Sequence, residues 1–119
     1  PKIKTVKAIA TAISEGELDL AAVGELPADD AHARLTAVHG IGPWTADIYL
    51  LSCLGHSDAW PAGDLALQEA VRLAFGLPER PSAKETIAFA EAWRPWRAVA
   101  ARQLWAYYAF SKKRDIIPI

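Results

Sequence analysis

The chain has 119 residues, 52% of them apolar, with 13 lysines and arginines against 14 aspartates and glutamates. That length supports one domain with a modest core. The net charge of −1 excludes a uniformly basic nucleic-acid coat, and a single cysteine excludes an internal disulfide.

Neither a charged-then-apolar leader nor an apolar run long enough to span a bilayer occurs, so neither secretion nor membrane insertion of this stretch is expected. Cys53 sits in an apolar, helix-patterned stretch, which points to a reducing compartment and hence to a cytoplasmic protein. The lack of methionine and the start at Pro1 give the expectation of an amino-terminal truncation.

In chain order, Ile3, Val6, Ala10 and Ile13 recur at helical spacing, which predicts an amphipathic helix over Lys2–Ser14 stopped by Gly16, with Lys4 and Lys7 outward for solubility. Asp19 is placed to cap a short helix through about Val23 that Gly24 ends. Pro27 opens the next helix. Its first turn holds Asp29 and Asp30, read as dipole-favoured acids rather than a catalytic pair.

That helix ends near Ala37, and the stretch LTAVHGIGPWTADIYLLSCL, from Leu35 to Leu54, turns about Gly40-Ile41-Gly42 into a second helix opening at Pro43. Each glycine can take φ > 0 or approach another surface, Ile41 fills the groove between the helices, and Pro43 fits the first helical position. The backbone donors of Trp44 and Thr45 then form a forward-held anion site, for which a DNA phosphate is the natural ligand.

From Pro43 to Leu54 the pattern is apolar nearly all round, apart from Asp47 and Ser52, which predicts a helix in the middle of the domain closed by Gly55. His56 to Gly63 reads as a loop. Asp64 stands ahead of an apolar-periodic run from Leu65 to Phe75, ended by Gly76 and Pro78. Ser82 with Glu85 forms a capping box for a helix reaching Trp93. Pro95 breaks the chain before a last helix over roughly Trp96 to Phe110, followed by the polar SKKRD and a short unassigned end. With no period-two run and no Asn-Gly or Asp-Gly turn, the fold class is all-α, one domain over 1–119.

The charges are segregated. Arg94, Arg97, Arg102, Lys112, Lys113 and Arg114 lie between Glu91 and Asp115, while Glu15, Glu17, Asp19, Glu25, Asp29 and Asp30 crowd the other end. A locally basic stretch attracts phosphate within a screening length; it equally serves as a solvated helix face.

The hairpin stretch resembles the helix-hairpin-helix motif of DNA base-excision glycosylases. Downstream come Trp60-Pro61-Ala62-Gly63-Asp64, then Ala92-Trp93-Arg94-Pro95-Trp96-Arg97, then Leu104-Trp105. In that order and spacing nearly the whole chain is similar to the C-terminal half of the bacterial 3-methyladenine DNA glycosylase II family. The resemblance implies an all-α helix-hairpin-helix glycosylase domain, truncated at its N-terminus, because the family carries further helices and usually a small β-rich domain upstream. It implies DNA base-excision repair by hydrolysis of N-glycosidic bonds to alkylated purines such as 3-methyladenine, in double-stranded DNA.

The resemblance implies that Asp64 is the catalytic carboxylate. From the residues alone, an aspartate directly before a helix is a routine N-cap worth about 1 kcal/mol, and the two roles are compatible. An ionised carboxylate stabilises oxocarbenium character on the sugar or orients water, and an alkylated purine is already a cationic leaving group. Trp105 matches the family position that stacks on the extruded base, and Trp44 lies beside the pocket mouth. On spacing alone, Trp105 is equally a core aromatic beside Val99, Leu104 and Tyr108. Trp93 and Trp96 are assigned to packing around Pro95, and Arg97 either to an internal carboxylate or to DNA.

Gly40, Gly42, Trp44 and Thr45 form the expected phosphate-binding set. In family members that also cleave the DNA backbone, a lysine stands where this chain has Trp44, so a monofunctional glycosylase is expected. No catalytic metal or organic cofactor is expected: His32, His39 and His56 lack zinc spacing, and the four iron–sulfur cysteines of other branches are absent. The resemblance does imply a structural sodium or potassium ion on the carbonyls of Thr36, Val38 and Gly40.

The family's duplex-wedging residue belongs to the upstream part. A chain without that part is expected to expose apolar surface and to form a homodimer or exchange helices. The rival readings are a non-catalytic DNA-binding hairpin module and a helical protein-interaction domain.

Overall fold

Caps and breakers encoded locally set most helix boundaries. The computed structural model describes residues 2–116, with side chains for 3–113. The unassigned end at 117–119 and the side chains of Arg114 and Asp115 lie outside the described residues. Those residues form seven α-helices with no strand among them, and none of these helices is long and apolar enough to cross a membrane. The chain divides into two units, Pro1–Ala59 and Trp60–Ile119.

The first unit holds α1 (Lys2–Ser14), α2 (Leu20–Glu25), α3 (Ala28–Thr36) and α4 (Pro43–Ile48). Asp19 caps α2, its Oδ1 accepting from the N–H groups of Ala21 at 3.1 Å and Ala22 at 3.2 Å. That helix runs through Gly24 to Glu25, one residue past the expected stop. Pro27 is the reason: Leu26, before it, is held extended at ψ 155° and cannot continue the helix. The core of the unit is Leu18, Val23, Ala31, Leu35, Ala46, Leu50 and Leu51.

The stripe of α1 does not face the core: Ile3 is 74% and Val6 64% exposed, and Ala10 and Ile13 are exposed too. The helix has a wide apolar arc, and it packs through the neighbouring flank of Thr5, Ile9 and Ala12 instead. The second hairpin helix is also not a continuous α-helix buried all round. After α4 the backbone widens into a π-helical turn over Tyr49–Cys53, with the Leu54 N–H reaching the Tyr49 carbonyl at 3.1 Å. Ser52 and Cys53 face solvent, and Cys53 is an exposed free thiol.

The second unit holds α5 (Leu65–Phe75), α6 (Ala83–Ala90), a 3-10 turn (Glu91–Trp93) and α7 (Arg97–Ile116). Gly76, at φ +64°, terminates α5 in the left-handed conformation that favours glycine. Ser82 and Glu85 form the reciprocal capping box of α6. Helices α5 and α7 form the main packing pair. Leu67, Ala70 and Val71 on one, and Ala98 and Ala101 on the other, are fully buried. Burial of a side chain such as Leu67 contributes on the order of 2 kcal/mol.

Leu65 (61% exposed) and Phe75 (50%) lie outside that seam, so the run from 65 to 75 is apolar beyond the width it buries. Helix α7 outruns the expected end at Phe110 because its polar continuation holds Lys112, Lys113 and Arg114, all good helix formers, and no glycine or proline stops it.

Candidate active site and nucleic-acid interface

Asp64 enters its site on a loop pinned at several points. The Trp60 ring packs tilted against Trp93, with centroids 5.7 Å apart, and Trp93 in turn stacks on Phe75 at 6.0 Å. The Ala62 N–H donates to the Trp60 carbonyl at 2.9 Å, and the Asp64 N–H to the Pro61 carbonyl at 3.0 Å. Buried Gln68, one turn into α5, donates from Nε2 to the Ala62 carbonyl at 2.9 Å. Asp64 is thus delivered in extended conformation (φ −74°, ψ 118°) to the N-cap of α5.

There its Oδ2 accepts two hydrogen bonds, from the Leu67 N–H at 2.9 Å and from the Trp105 indole Nε1 at 2.9 Å. The first is the expected cap. The second ties the carboxylate to α7 across the α5–α7 seam. Both donors fix the position of the carboxylate at the positive end of α5.

Among the tryptophans, Trp105 is half-buried and joined to Asp64. It is not part of a buried stripe with Val99, Leu104 and Tyr108: Val99 is 42% exposed, and the helix buries Ala98 and Ala101. Trp93 packs as expected, whereas Trp96 is 60% exposed and so is not a packing residue. It borders a cleft of about 730 Å³ with Trp93, Val99 and Tyr107, which includes neither Asp64 nor Trp105. Arg97 is buried, 4% exposed, in keeping with an internal role, while Arg94 pairs with Glu91 at 3.0 Å.

The hairpin lies in the first unit. Gly40 and Gly42, expected to act alike, differ. Gly40 has φ +90°, and a Cβ there would stand 2.3 Å from Thr5 Oγ1. Gly42 is extended at φ −83°, with open space where its Cβ would be. Gly42 is the N-cap of α4 with no side-chain cap, Pro43 follows at the first helical position, and Trp44 (49%) and Thr45 are exposed. The Val38 carbonyl accepts the Ile41 N–H at 3.1 Å, closing the turn. Ile41 is half-buried beside Leu35 and Ala46.

Two further contacts stiffen the unit, and the sequence reading missed both. His32 on α3 donates from Nδ1 to buried Asp47 on α4 at 2.8 Å, cross-linking the two hairpin helices. The Asp58 N–H donates to His56 Nδ1 at 3.1 Å, so the ring proton lies on Nε2, which donates to the Leu26 carbonyl at 2.8 Å. The missed signal for the first was a polar Asp47 in an otherwise apolar run, which requires a partner when buried.

Basic residues also border the hairpin. A cleft of about 450 Å³ is lined by Lys7, Thr11, Glu17, Arg34, Val38 and His39. Lys7, read from the sequence as a solubility residue, therefore shares a concavity with Arg34 and His39.

No family model matches the chain. It is 33% identical over 105 residues to DNA-3-methyladenine glycosylase 1 of Schizosaccharomyces pombe, covering 87% of this chain and 46% of that protein. Its fold is similar to the crystal structure of a DNA-3-methyladenine glycosidase from Bacillus halodurans, with a TM-score of 0.84 and 30% identity, over 93% of this chain and 52% of that one. It is also similar to the Schizosaccharomyces pombe 3-methyladenine DNA glycosylase Mag1 in complex with abasic DNA, with a TM-score of 0.75 and 32% identity, over 87% and 51% of the two chains. The chain spans from 20% to 46% of the length of the curated relatives it matches. In sequence and in fold, this chain is similar to part of the DNA-3-methyladenine glycosylases of the helix-hairpin-helix superfamily.

Proposed function

We propose that the chain is the helix-hairpin-helix portion of a monofunctional DNA glycosylase, which removes alkylated purines such as 3-methyladenine from double-stranded DNA by hydrolysing the N-glycosidic bond. The observation that carries this reading is the Asp64 carboxylate, held at the head of α5 by two N–H donors at 2.9 Å, one of them from an aromatic side chain. As the bond to the base lengthens, positive charge builds on the sugar, and a fixed anion lowers the energy of that state more than of the ground state. Asp64 can also orient the attacking water. A purine made cationic by alkylation departs without a strong acid, so a second carboxylate is not required.

A base must leave the stack before it is cut, and Trp105 supplies a face for it. In the hairpin, Gly40, Gly42, Trp44 and Thr45 receive a phosphate: open space at Gly42 lets it approach the backbone, and exposed Trp44 offers DNA an aromatic surface. Because Trp44 replaces the amine nucleophile of backbone-cleaving relatives, no lyase step follows base release.

The carbonyls of Thr36, Val38 and Gly40 would hold a structural sodium or potassium ion. An all-neutral oxygen set suits such an ion rather than a transition metal, and the closed turn at Val38 fits that arrangement. The exposed apolar face of α1 supports pairing of two copies or exchange of helices. Light scattering giving the monomer mass at micromolar concentration would overturn that pairing.

The test of function is release of 3-methyladenine from methylated duplex DNA by the intact protein carrying this chain. Release at a rate above spontaneous loss supports the enzyme. Salt-sensitive DNA binding without release of any alkylated base would overturn it and favour the binding module.

A further inference from the structure

The bond between Trp105 and Asp64 has no counterpart in an ordinary helix cap. The Leu67 N–H, three residues on, suffices to cap α5. An indole from another helix, 41 residues away, adds nothing to capping. Its approach is built: Ala98 and Ala101, both fully buried, keep α7 close to α5, and Trp105 lies one turn beyond Ala101 on that face. An indole N–H can only donate, and its acceptor here is the same oxygen, Oδ2, that holds the cap.

We infer that Trp105 is a positioning residue for Asp64, and that its edge holds the carboxylate while its face receives the base. This rests on the glycosylase reading above. The N–H bond lies in the ring plane, so Oδ2 lies near that plane. A base stacked on either face is then offset from the carboxylate by about 3.5 Å, the distance of aromatic contact. One rigid ring therefore sets both partners of the reaction, and seating the base and placing the anion are coupled. The bond also fixes the ring's rotation, so the stacking face is formed before the base arrives.

The test separates edge from face. Trp105→Phe keeps a stacking face and removes the donor. Replacing the indole with benzothiophene, through a noncanonical amino acid, keeps the whole bicyclic face and exchanges N–H for sulfur. Both variants are expected to lower kcat for release of 3-methyladenine about 10-fold or more, the worth of a hydrogen bond to a charged group, with KM within about twofold of the parent. In the ¹H–¹⁵N spectrum of the parent, the Trp105 Nε1–H resonance is expected to move on Asp64→Asn more than those of the other indoles.

If the benzothiophene variant folds normally and loses less than about threefold in kcat, the inference is overturned and the glycosylase reading stands. An unmoved Trp105 resonance would overturn it as well. A parent that releases no base overturns both.

Discussion

Gly40→Ala tests the packing of the hairpin, because the two glycines of its turn differ so sharply. An alanine at φ +90° carries a left-handed penalty of roughly 1–2 kcal/mol. Its methyl would also stand 2.3, 2.8 and 2.9 Å from Thr5 Oγ1, Cγ2 and Cβ, so α1 must shift, at about 1–2 kcal/mol for a modest overpacking. The sum of about 2–4 kcal/mol is a large part of the 5–15 kcal/mol typical of a domain, and corresponds to about 8–16 °C in melting temperature at this chain length. Gly42→Ala has neither cost and is expected to melt within about 2 °C of the parent.

Thermal denaturation followed by circular dichroism measures both variants. Adding Thr5→Ala to Gly40→Ala removes the two nearer atoms, Oγ1 and Cγ2, and should recover part of the loss, leaving the backbone penalty and the Cβ contact at 2.9 Å. If Gly40→Ala melts like Gly42→Ala, or if Thr5→Ala recovers nothing, the account of α1 seated on the turn is wrong.

Other expectations follow from the same geometry. Gly42→Ala, though stable, should weaken DNA binding, because its methyl occupies the space proposed for a phosphate; unchanged affinity in a filter-binding titration would count against that site. Arg34→Ala, in the cleft it shares with Lys7 and His39, should reduce the slope of log affinity against log salt by about 1, as expected for one lost phosphate contact, and an unchanged slope would remove the cleft from the DNA face. Glu69 is held below the ordinary glutamate value of 4.5 by the Arg72 guanidinium, and Glu85 below it by the Ser82 N–H and hydroxyl. Depressed folded values mean stability that is present above the unfolded pKa and lost as pH falls through the folded one. Melting temperature should therefore drop on acidification below about 4.5, and Glu85→Gln should flatten part of that drop; an unaltered profile would refute its contribution.

What the sequence made legible was what neighbouring residues decide between themselves. Asp64 as a cap, the Ser82–Glu85 box, Pro43 at a helix start and Gly76 at a helix end each depend on a few adjacent positions, and each lies where the pattern puts it. What escaped reading depends on remote partners. The face α1 buries is chosen by Thr5 against Gly40, not by the width of its apolar arc. The π-helical turn at Tyr49–Cys53 follows a run whose periodicity is equally that of an α-helix, and the structure offers no physical cause for it. At the site, spacing offered Trp105 as either core or base platform; its bond to Asp64 spans 41 positions and has no signature in either segment. His32 and Asp47 likewise meet only because the hairpin folds.

If the charge of Asp64 drives base release, Asp64→Asn in the intact protein shows it most directly. Asparagine caps a helix about as well as aspartate, so the variant should melt within a few degrees of the parent. Release of 3-methyladenine from methylated duplex DNA should fall at least about 100-fold, as for loss of a preorganised electrostatic group, with DNA affinity nearly unchanged. A folded Asp64→Asn variant that releases base within threefold of the parent rate would contradict the claim and return Asp64 to the role of a helix cap.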